Sequence, residues 1–137
     1  MSRELNDIMA ISASALKAQN ERMKIIAQNV ANANTTASAP GMKPYQRQVI
    51  SFKQEFDKSL GAYKVKVAGV KLDNSDFIKK FDPSNPAADA QGYVLQPNVN
   101  SLIETMDMSE ANRSYQANLD VITASRTMVM KTIGLLQ

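Results

Sequence analysis

Four aspartates in the middle of the chain are the residues whose type could bind a metal ion: Asp73, Asp76, Asp82 and Asp89. A calcium loop needs oxygen ligands at alternating positions and a closing glutamate, and this spacing supplies neither. Each aspartate also stands beside turn-forming residues, where aspartate is common. The sequence therefore predicts no metal site and no cofactor.

Residues for covalent or acid–base catalysis are largely missing. The chain has no cysteine and no histidine, so it lacks a thiolate nucleophile, the commonest general base and the commonest metal ligand. No serine or threonine can have a histidine partner, and no glycine-rich phosphate loop follows a strand pattern. The sequence predicts that the protein is not an enzyme.

The charge of the chain is modest, and its slight basic excess lies in the middle of the chain, interspersed with acidic residues. The formal net charge is +3, from 16 basic and 13 acidic residues. Nucleic-acid binding usually shows as a basic stripe with aromatic or arginine platforms, whereas this chain has no tryptophan and its arginines stand singly. No apolar run approaches the roughly 20 residues that a membrane-spanning helix needs. We therefore expect no nucleic-acid partner and no membrane span.

The residues that break helices are confined to the middle of the chain. All five prolines and four of the five glycines lie between positions 40 and 97. Each end of the chain is therefore free to form one long helix. We predict helix one over residues 3–33 and helix two over residues 101–135.

Polar residues mark one end of each predicted helix. Asn100 or Ser101 can cap the start of helix two, with Glu104 placed for a capping box. Near the end of helix one, Asn29 and Asn32 have side chains that compete for backbone hydrogen bonds. They predict either a helix end followed by a turn, or hydrogen bonds between subunits.

Both predicted helices carry apolar residues at alternating spacings of three and four, the repeat by which a helix buries a narrow seam against another helix. The frame in helix one is Leu5, Met9, Ser12, Leu16, Gln19, Met23, Ile26 and Val30. The frame in helix two is Met108, Asn112, Tyr115, Leu119, Ile122, Arg126, Val129, Ile133 and Leu136. Because the middle of the chain is too small to cover two such seams, we expect the protein to associate with other subunits.

The middle of the chain changes to a period of two, which is typical of strands. Tyr63–Val67 alternates lysine with valine, which predicts a strand with Lys64 and Lys66 on its solvated face. Gly69 coincides with a change of parity and predicts a bulge or bend. Residues 45–56 have a mixed pattern, interpreted as a strand leading into a short helical turn.

These patterns predict a mainly α fold, in which long N- and C-terminal helices form an antiparallel coiled-coil pair around a small β-rich central domain. The predicted divisions are residues 1–34 for the N-terminal coiled-coil helix, residues 35–98 for a linker and the β-rich domain, and residues 99–137 for the C-terminal coiled-coil helix.

Several sequence strings resemble a known family. SALKAQNERM at 14–23, followed by IAQNVANANT at 26–35, resembles the N-terminal signature of bacterial flagellar rod and hook proteins. DPSNPAADAQGYV at 82–94, PNVN at 97–100 and ANRSYQAN at 111–118 are similar to the proximal rod members of that family. The resemblance covers nearly the whole chain and is loose over residues 36–76.

The resemblance implies a structural subunit of the flagellar basal-body rod, the shaft that carries torque from the motor to the hook. It implies export through the flagellar type III export apparatus, without a cleaved signal peptide, and assembly in the periplasm. The implied partners are copies of the same chain, the other proximal and distal rod subunits, and the adaptor between the rod and the export gate. Terminal segments in the family are typically disordered until they assemble.

The predicted assembly interface combines the apolar seam residues with four residues placed by the family strings, Asn29, Asn32, Tyr115 and Asn118. Its members are Leu5, Met9, Leu16, Met23, Ile26, Asn29, Val30, Asn32, Met108, Tyr115, Asn118, Leu119, Ile122, Val129, Ile133 and Leu136.

Two other functions are compatible with parts of the sequence. A soluble coiled-coil adaptor or secretion-associated chaperone would use the same seams, but it would form a discrete oligomer in solution. A nucleic-acid-binding protein would show salt-sensitive binding to a polyanion.

Overall fold

The computed structural model describes residues 2–135, and within that range it has two long helices and four strands. In chain order the elements are α1 (Ser2–Ala31), β1 (Gln48–Asp57), β2 (Ala62–Leu72), β3 (Ile78–Phe81), β4 (Tyr93–Gln96) and α2 (Ser101–Gly134). The strands form two separate two-stranded sheets, β1 with β2 and β3 with β4. Over the same described range, neither helix has the length and apolarity needed to cross a membrane.

The first predicted helix is confirmed, and its end is a turn closed by Asn32. α1 ends at Ala31, and the Asn32 side chain donates a hydrogen bond to the carbonyl oxygen of Gln28 at 2.9 Å. The hydroxyl of Thr35 in turn donates to Asn32 Oδ1 at 3.2 Å. These local bonds occupy both ends of the Asn32 amide, as expected of a polar residue at a helix end.

The second predicted helix is also confirmed, but its start differs from the predicted capping box. Asn100 is the cap, because its Oδ1 accepts hydrogen bonds from the backbone N–H groups of Leu102 at 3.0 Å and Ile103 at 3.4 Å. With the cap at Asn100, Glu104 lies one position too far along the helix for a capping box. Its carboxylate is instead buried and binds other partners.

The prediction of a mainly α fold with an antiparallel coiled-coil pair is wrong. Helices take up 47% of the chain and strands 22%, and the helices are not clearly a coiled coil. Every second member of the predicted frame in α2 is exposed, namely Asn112, Leu119, Arg126 and Ile133. The others that the structure describes are half-buried, namely Met108, Tyr115, Ile122 and Val129.

At every second position of that frame, the buried face of α2 has the residue that precedes the frame residue. Between the half-buried large residues it places Ala111, Asn118, Ser125 and Thr132, of which Ala111 and Ser125 are fully buried. Small residues let the helix backbone come close to its neighbours, whereas large ones would hold it away. The buried residues of α1 are likewise mixed and irregularly spaced: Ser12, Ala18, Ile25, Ile26 and Asn29. Neither face is the continuous apolar seam of a coiled coil.

β1 and β2 form a long hairpin, which corrects the short helical turn predicted near residue 56. The hairpin turn is stabilised by Asp57, whose Oδ1 accepts hydrogen bonds from the backbone N–H and hydroxyl of Ser59. Gly61 closes the turn with a φ of 64°. β2 continues as one strand past Gly69 to Leu72, and the bulge or bend expected at Gly69 stays a prediction.

β3 and β4 are antiparallel, with Ile78 opposite Gln96 and Phe81 opposite Tyr93. The connection between them returns through Gly92, which has a φ of 84°. A Cβ atom at Gly92 would lie 2.9 Å from Phe81 Cε2 and 3.2 Å from Pro83 Cβ. Both the backbone conformation and the tight space therefore require glycine.

We expect Gly92→Ala to lower the free energy of unfolding by about 1–3 kcal/mol, because alanine is strained at positive φ and its methyl group overlaps the Phe81 ring. Gly69→Ala is the matched control, since a Cβ there meets nothing within 4 Å. It should change stability by less than about 0.5 kcal/mol. Urea unfolding followed by circular dichroism measures both, and equal midpoints for the two variants would contradict this account of Gly92.

Residue contacts divide the chain into two compact units, each built from separate stretches of sequence. Unit 1 comprises Met1–Met23, Ser51–Gly69 and Ser109–Gln137. Unit 2 comprises Lys24–Ile50 and Val70–Met108. The buried residues of unit 1 are small: Ser12, Ala18, Ala111 and Ser125. Those of unit 2 include Ile25, Ile26, Asn29, Val94, Pro97, Val99 and Glu104. The three-part domain division made from sequence stays a prediction.

Candidate functional site

The side chain of Asn29 is the centre of a polar cluster in unit 2. Asn29 is 1% exposed, and its Nδ2 donates to the carbonyl oxygen of Gln48 at 2.8 Å and to Glu104 Oε2 at 3.0 Å. Its Oδ1 accepts from the Gln48 N–H and from the Tyr45 hydroxyl, both at 2.9 Å. All four hydrogen-bonding positions of the amide are therefore filled. Because it pairs with both backbone groups of Gln48, the amide takes the place of a neighbouring strand.

Arg47 links the rest of the cluster. Its Nε donates to Glu104 Oε1 at 2.5 Å, its Nη1 donates to Asp73 Oδ2 at 3.2 Å, and its Nη2 lies 3.6 Å from Asp107 Oδ2. The backbone N–H of Arg47 donates to Asn98 Oδ1 at 2.8 Å. The polar cluster therefore consists of Asn29, Tyr45, Arg47, Asp73, Asn98, Glu104 and Asp107, and it joins α1, the start of β1 and α2.

The environment of the cluster shifts three pKa values. Hydrogen bonds from Ser75, followed by that from Arg47, lower the pKa of Asp73. Burial raises the pKa of Tyr45, and the negative charge of Glu104 adds to the effect. Burial also disfavours the charged form of Arg47, but the hydrogen bonds and charges of Glu104 and Asp73 outweigh it and raise the pKa of Arg47. The guanidinium thus stays charged and holds the carboxylates around it.

The four aspartates considered as metal ligands have other roles or lie apart. Asp73 binds Arg47, Asp82 accepts a hydrogen bond from the Ser84 hydroxyl, and Asp89 accepts from the N–H groups of Gln91 and Tyr93. Among residues 2–135, no three acidic side chains converge in a way that could hold a metal ion.

Two lysines of β2, Lys64 and Lys66, form ion pairs across the hairpin. Lys64 Nζ lies 2.6 Å from Asp57 Oδ2, and Lys66 Nζ lies 3.0 Å from Glu55 Oε1. The bond from Lys64, followed by those from Ser59, lowers the pKa of Asp57. Glu55, Lys64 and Lys66 border a groove of about 490 Å³ between β2 and α1, together with Lys17 and Glu21 of α1.

The outer surface of α2 carries a second row of apolar residues, which the sequence reasoning did not select. Ala117, Val121, Ala124, Met128 and Leu135 recur at spacings of three, four or seven, and all are exposed. Val121 is 42% exposed, Met128 57% and Leu135 87%. Val121 precedes the half-buried Ile122, so this row lies about 100° around the helix from the buried face. We call these five residues the outward stripe.

The predicted interface residues are placed on several different surfaces. Fully buried are Ile26 and Asn29. Half-buried are Leu5, Met9, Leu16, Met23, Asn32, Met108, Tyr115, Asn118, Ile122 and Val129. Exposed are Val30, Leu119 and Ile133. Leu136 lies outside the described residues. Whether any of them contacts another subunit stays a prediction.

Two family models match the two helical ends of the chain. The model described as "Flagella basal body rod protein" matches residues 9–37, and the model described as "Flagellar basal body rod FlgEFG protein C-terminal" matches residues 90–135. Both matches fall on the segments that contain most of α1 and α2. They define the class of protein as a structural component of the flagellar basal-body rod.

Curated relatives specify the member of that class. A protein of Agrobacterium fabrum named "Flagellar basal-body rod protein FlgC" is 48% identical over 93% of this chain and 91% of its own length. Proteins of the same name from Salmonella typhimurium and Bacillus subtilis are 37% and 36% identical, over 96% and 90% of this chain and 97% and 92% of their own lengths. The chain therefore belongs to the FlgC family of flagellar basal-body rod proteins and is a structural subunit of the rod.

Proposed function

We propose that the chain polymerises within the rod through its terminal helices, and that the outward stripe of α2 is one of its contact surfaces. The observation that supports this is the exposure of an apolar row with helical spacing in unit 1. Such a row is costly to leave in water and suits a second apolar surface. The exposed members of the sequence-predicted interface, Val30, Leu119 and Ile133, lie off the outward stripe and would have to meet other surfaces of neighbouring subunits.

We further propose the partners and the route of assembly that the family membership suggests. The partners are copies of this chain, the other proximal and distal rod subunits, and the adaptor between the rod and the export gate. The chain would reach the periplasm through the flagellar type III export apparatus without cleavage. Its role would be mechanical, as part of the shaft that transmits torque, with no enzymatic activity of its own.

The proposal is tested by removing the chain and restoring it with an epitope tag. We expect cells without it to lack complete rods and to be non-motile, and the tagged chain to restore swimming and to copurify with isolated basal bodies. Intact protein mass should show that the chain is not cleaved. Complete basal bodies in the deletion strain would contradict the proposal.

A further inference from the structure

The hairpin in unit 1 has two chemically different faces. The ion pairs Asp57–Lys64 and Glu55–Lys66 lie on one of them. Because successive side chains of a strand point to opposite faces, Phe56 and Tyr63 lie on the other. Their rings meet edge to face, with centroids 5.2 Å apart.

Phe52 extends this second face, because it lies four residues before Phe56 on the same strand. We call Phe52, Phe56 and Tyr63 the aromatic face. They are 37%, 51% and 60% exposed. Exposed aromatic residues grouped on one surface are typical of protein interfaces, where they become buried at the centre of the contact. The acidic side chains on the other face are already paired, so a partner need not supply charges to them.

We propose that the aromatic face of one subunit binds the outward stripe of α2 in a second copy of the chain. This inference rests on the proposed function and names the surface that covers the stripe. Ala117 and Ala124 leave gaps on either side of Val121, and such gaps accept aromatic rings. The thioether of Met128 is flexible and makes favourable contacts with ring edges.

The dimensions of the two surfaces are compatible. Along a strand, Phe52 and Phe56 are about 13 Å apart, at about 3.3 Å per residue. Along a helix, Ala117 and Ala124 are about 10.5 Å apart, at about 1.5 Å per residue. The two spacings differ by about 2.5 Å, so the strand must run roughly along the helix for both rings to reach the two gaps.

The size of the contact explains why it belongs to an assembly. If each aromatic side chain has about 200 Å² of surface, the aromatic face exposes about 300 Å². A stable dimer buries about 800 Å² on each partner, so this contact alone would not hold two subunits together in solution. Within a rod, other contacts raise the effective concentration and let it form. Because the two surfaces differ, the contact propagates from one copy to the next instead of closing a pair.

Disulfide trapping can test the contact, since the chain has no cysteine of its own. Cells would produce two differently tagged chains, one with Phe56→Cys and the other with Val121→Cys, and basal bodies would be isolated after mild oxidation. A dimer that carries both tags can arise only between two copies. The matched control replaces Phe56→Cys with Lys53→Cys, which is exposed on the same strand at the parity opposite to Phe52 and Phe56.

We expect mixed dimers in basal bodies to exceed those of the Lys53→Cys control by at least about fivefold, because a disulfide forms only when the two Cβ atoms are about 4 Å apart. Free monomers should give none. If both tagged chains are present in complete basal bodies but the mixed dimer does not exceed the control, the inference is wrong and the proposed function stands. If neither chain is found in basal bodies, the proposed function fails.

Discussion

Cells whose only copy of the chain carries Val121→Asp are expected to export the subunit but to be non-motile. Val121 is exposed in the folded subunit, so the aspartate should change its stability by less than about 0.5 kcal/mol. In the assembled rod the same side chain would be buried against a neighbour, where an unpaired charge costs several kcal/mol. Swimming in soft agar and recovery of rods from the cells measure the effect.

Thr127→Asp is the matched control for this prediction. Thr127 is exposed on the same helix but outside the outward stripe. Its hydroxyl donates a hydrogen bond to the carbonyl oxygen of Thr123, within the same helix. The control variant should swim like the wild type. Circular dichroism of both purified variants should match the unsubstituted chain. Normal swimming with Val121→Asp would show that the outward stripe is not an assembly surface.

Glu104→Ala is expected to lower the free energy of unfolding by about 2–4 kcal/mol. The change removes the closest carboxylate of Arg47 and one acceptor of the buried Asn29 amide. It also leaves a small cavity, since Glu104 is only 1% exposed. The midpoint of thermal unfolding should fall by roughly 10 °C.

Glu110→Ala makes the same substitution in the same helix at an exposed ion pair. Glu110 Oε2 lies 3.5 Å from Arg22 Nη2, and its side chain is 66% exposed. Such pairs contribute about 0–1 kcal/mol, so this variant should unfold close to the unsubstituted chain. If Glu104→Ala and Glu110→Ala lower the free energy of unfolding by similar amounts, the polar cluster does not stabilise unit 2 as argued.

The positions of the helices could be predicted from sequence, because proline and glycine are absent from both ends except for Gly134. The face that α2 buries could not. In α2 a spacing of three and four fits both Leu119 and its neighbour Asn118, and the pattern alone favours the more apolar choice. The structure leaves Leu119 exposed and turns Asn118 toward the half-buried side. That choice depends on how closely the backbone approaches its neighbours, which no local pattern records.

The polar cluster was predictable only in part. Asn29 was selected from sequence, but as a turn residue or a contact between subunits. Its partners Gln48 and Glu104 lie 19 and 75 residues away in the chain, and burial of glutamate is rare enough that no simple rule selects it. In β1, the four-residue spacing of Phe52 and Phe56 is compatible with a helix. The segment is a strand because it pairs with β2.

The pairing of the Asn29 amide with Gln48 has a mechanical consequence. Two bonds hold the same residue of β1, one to its N–H and one to its carbonyl oxygen. A pull along the strand would load both bonds together in shear, so neither could open without the other. The Asn29 bond to Glu104 would pass part of that load directly to α2. A single buried amide on α1 thus connects the start of β1 to α2 by hydrogen bonds.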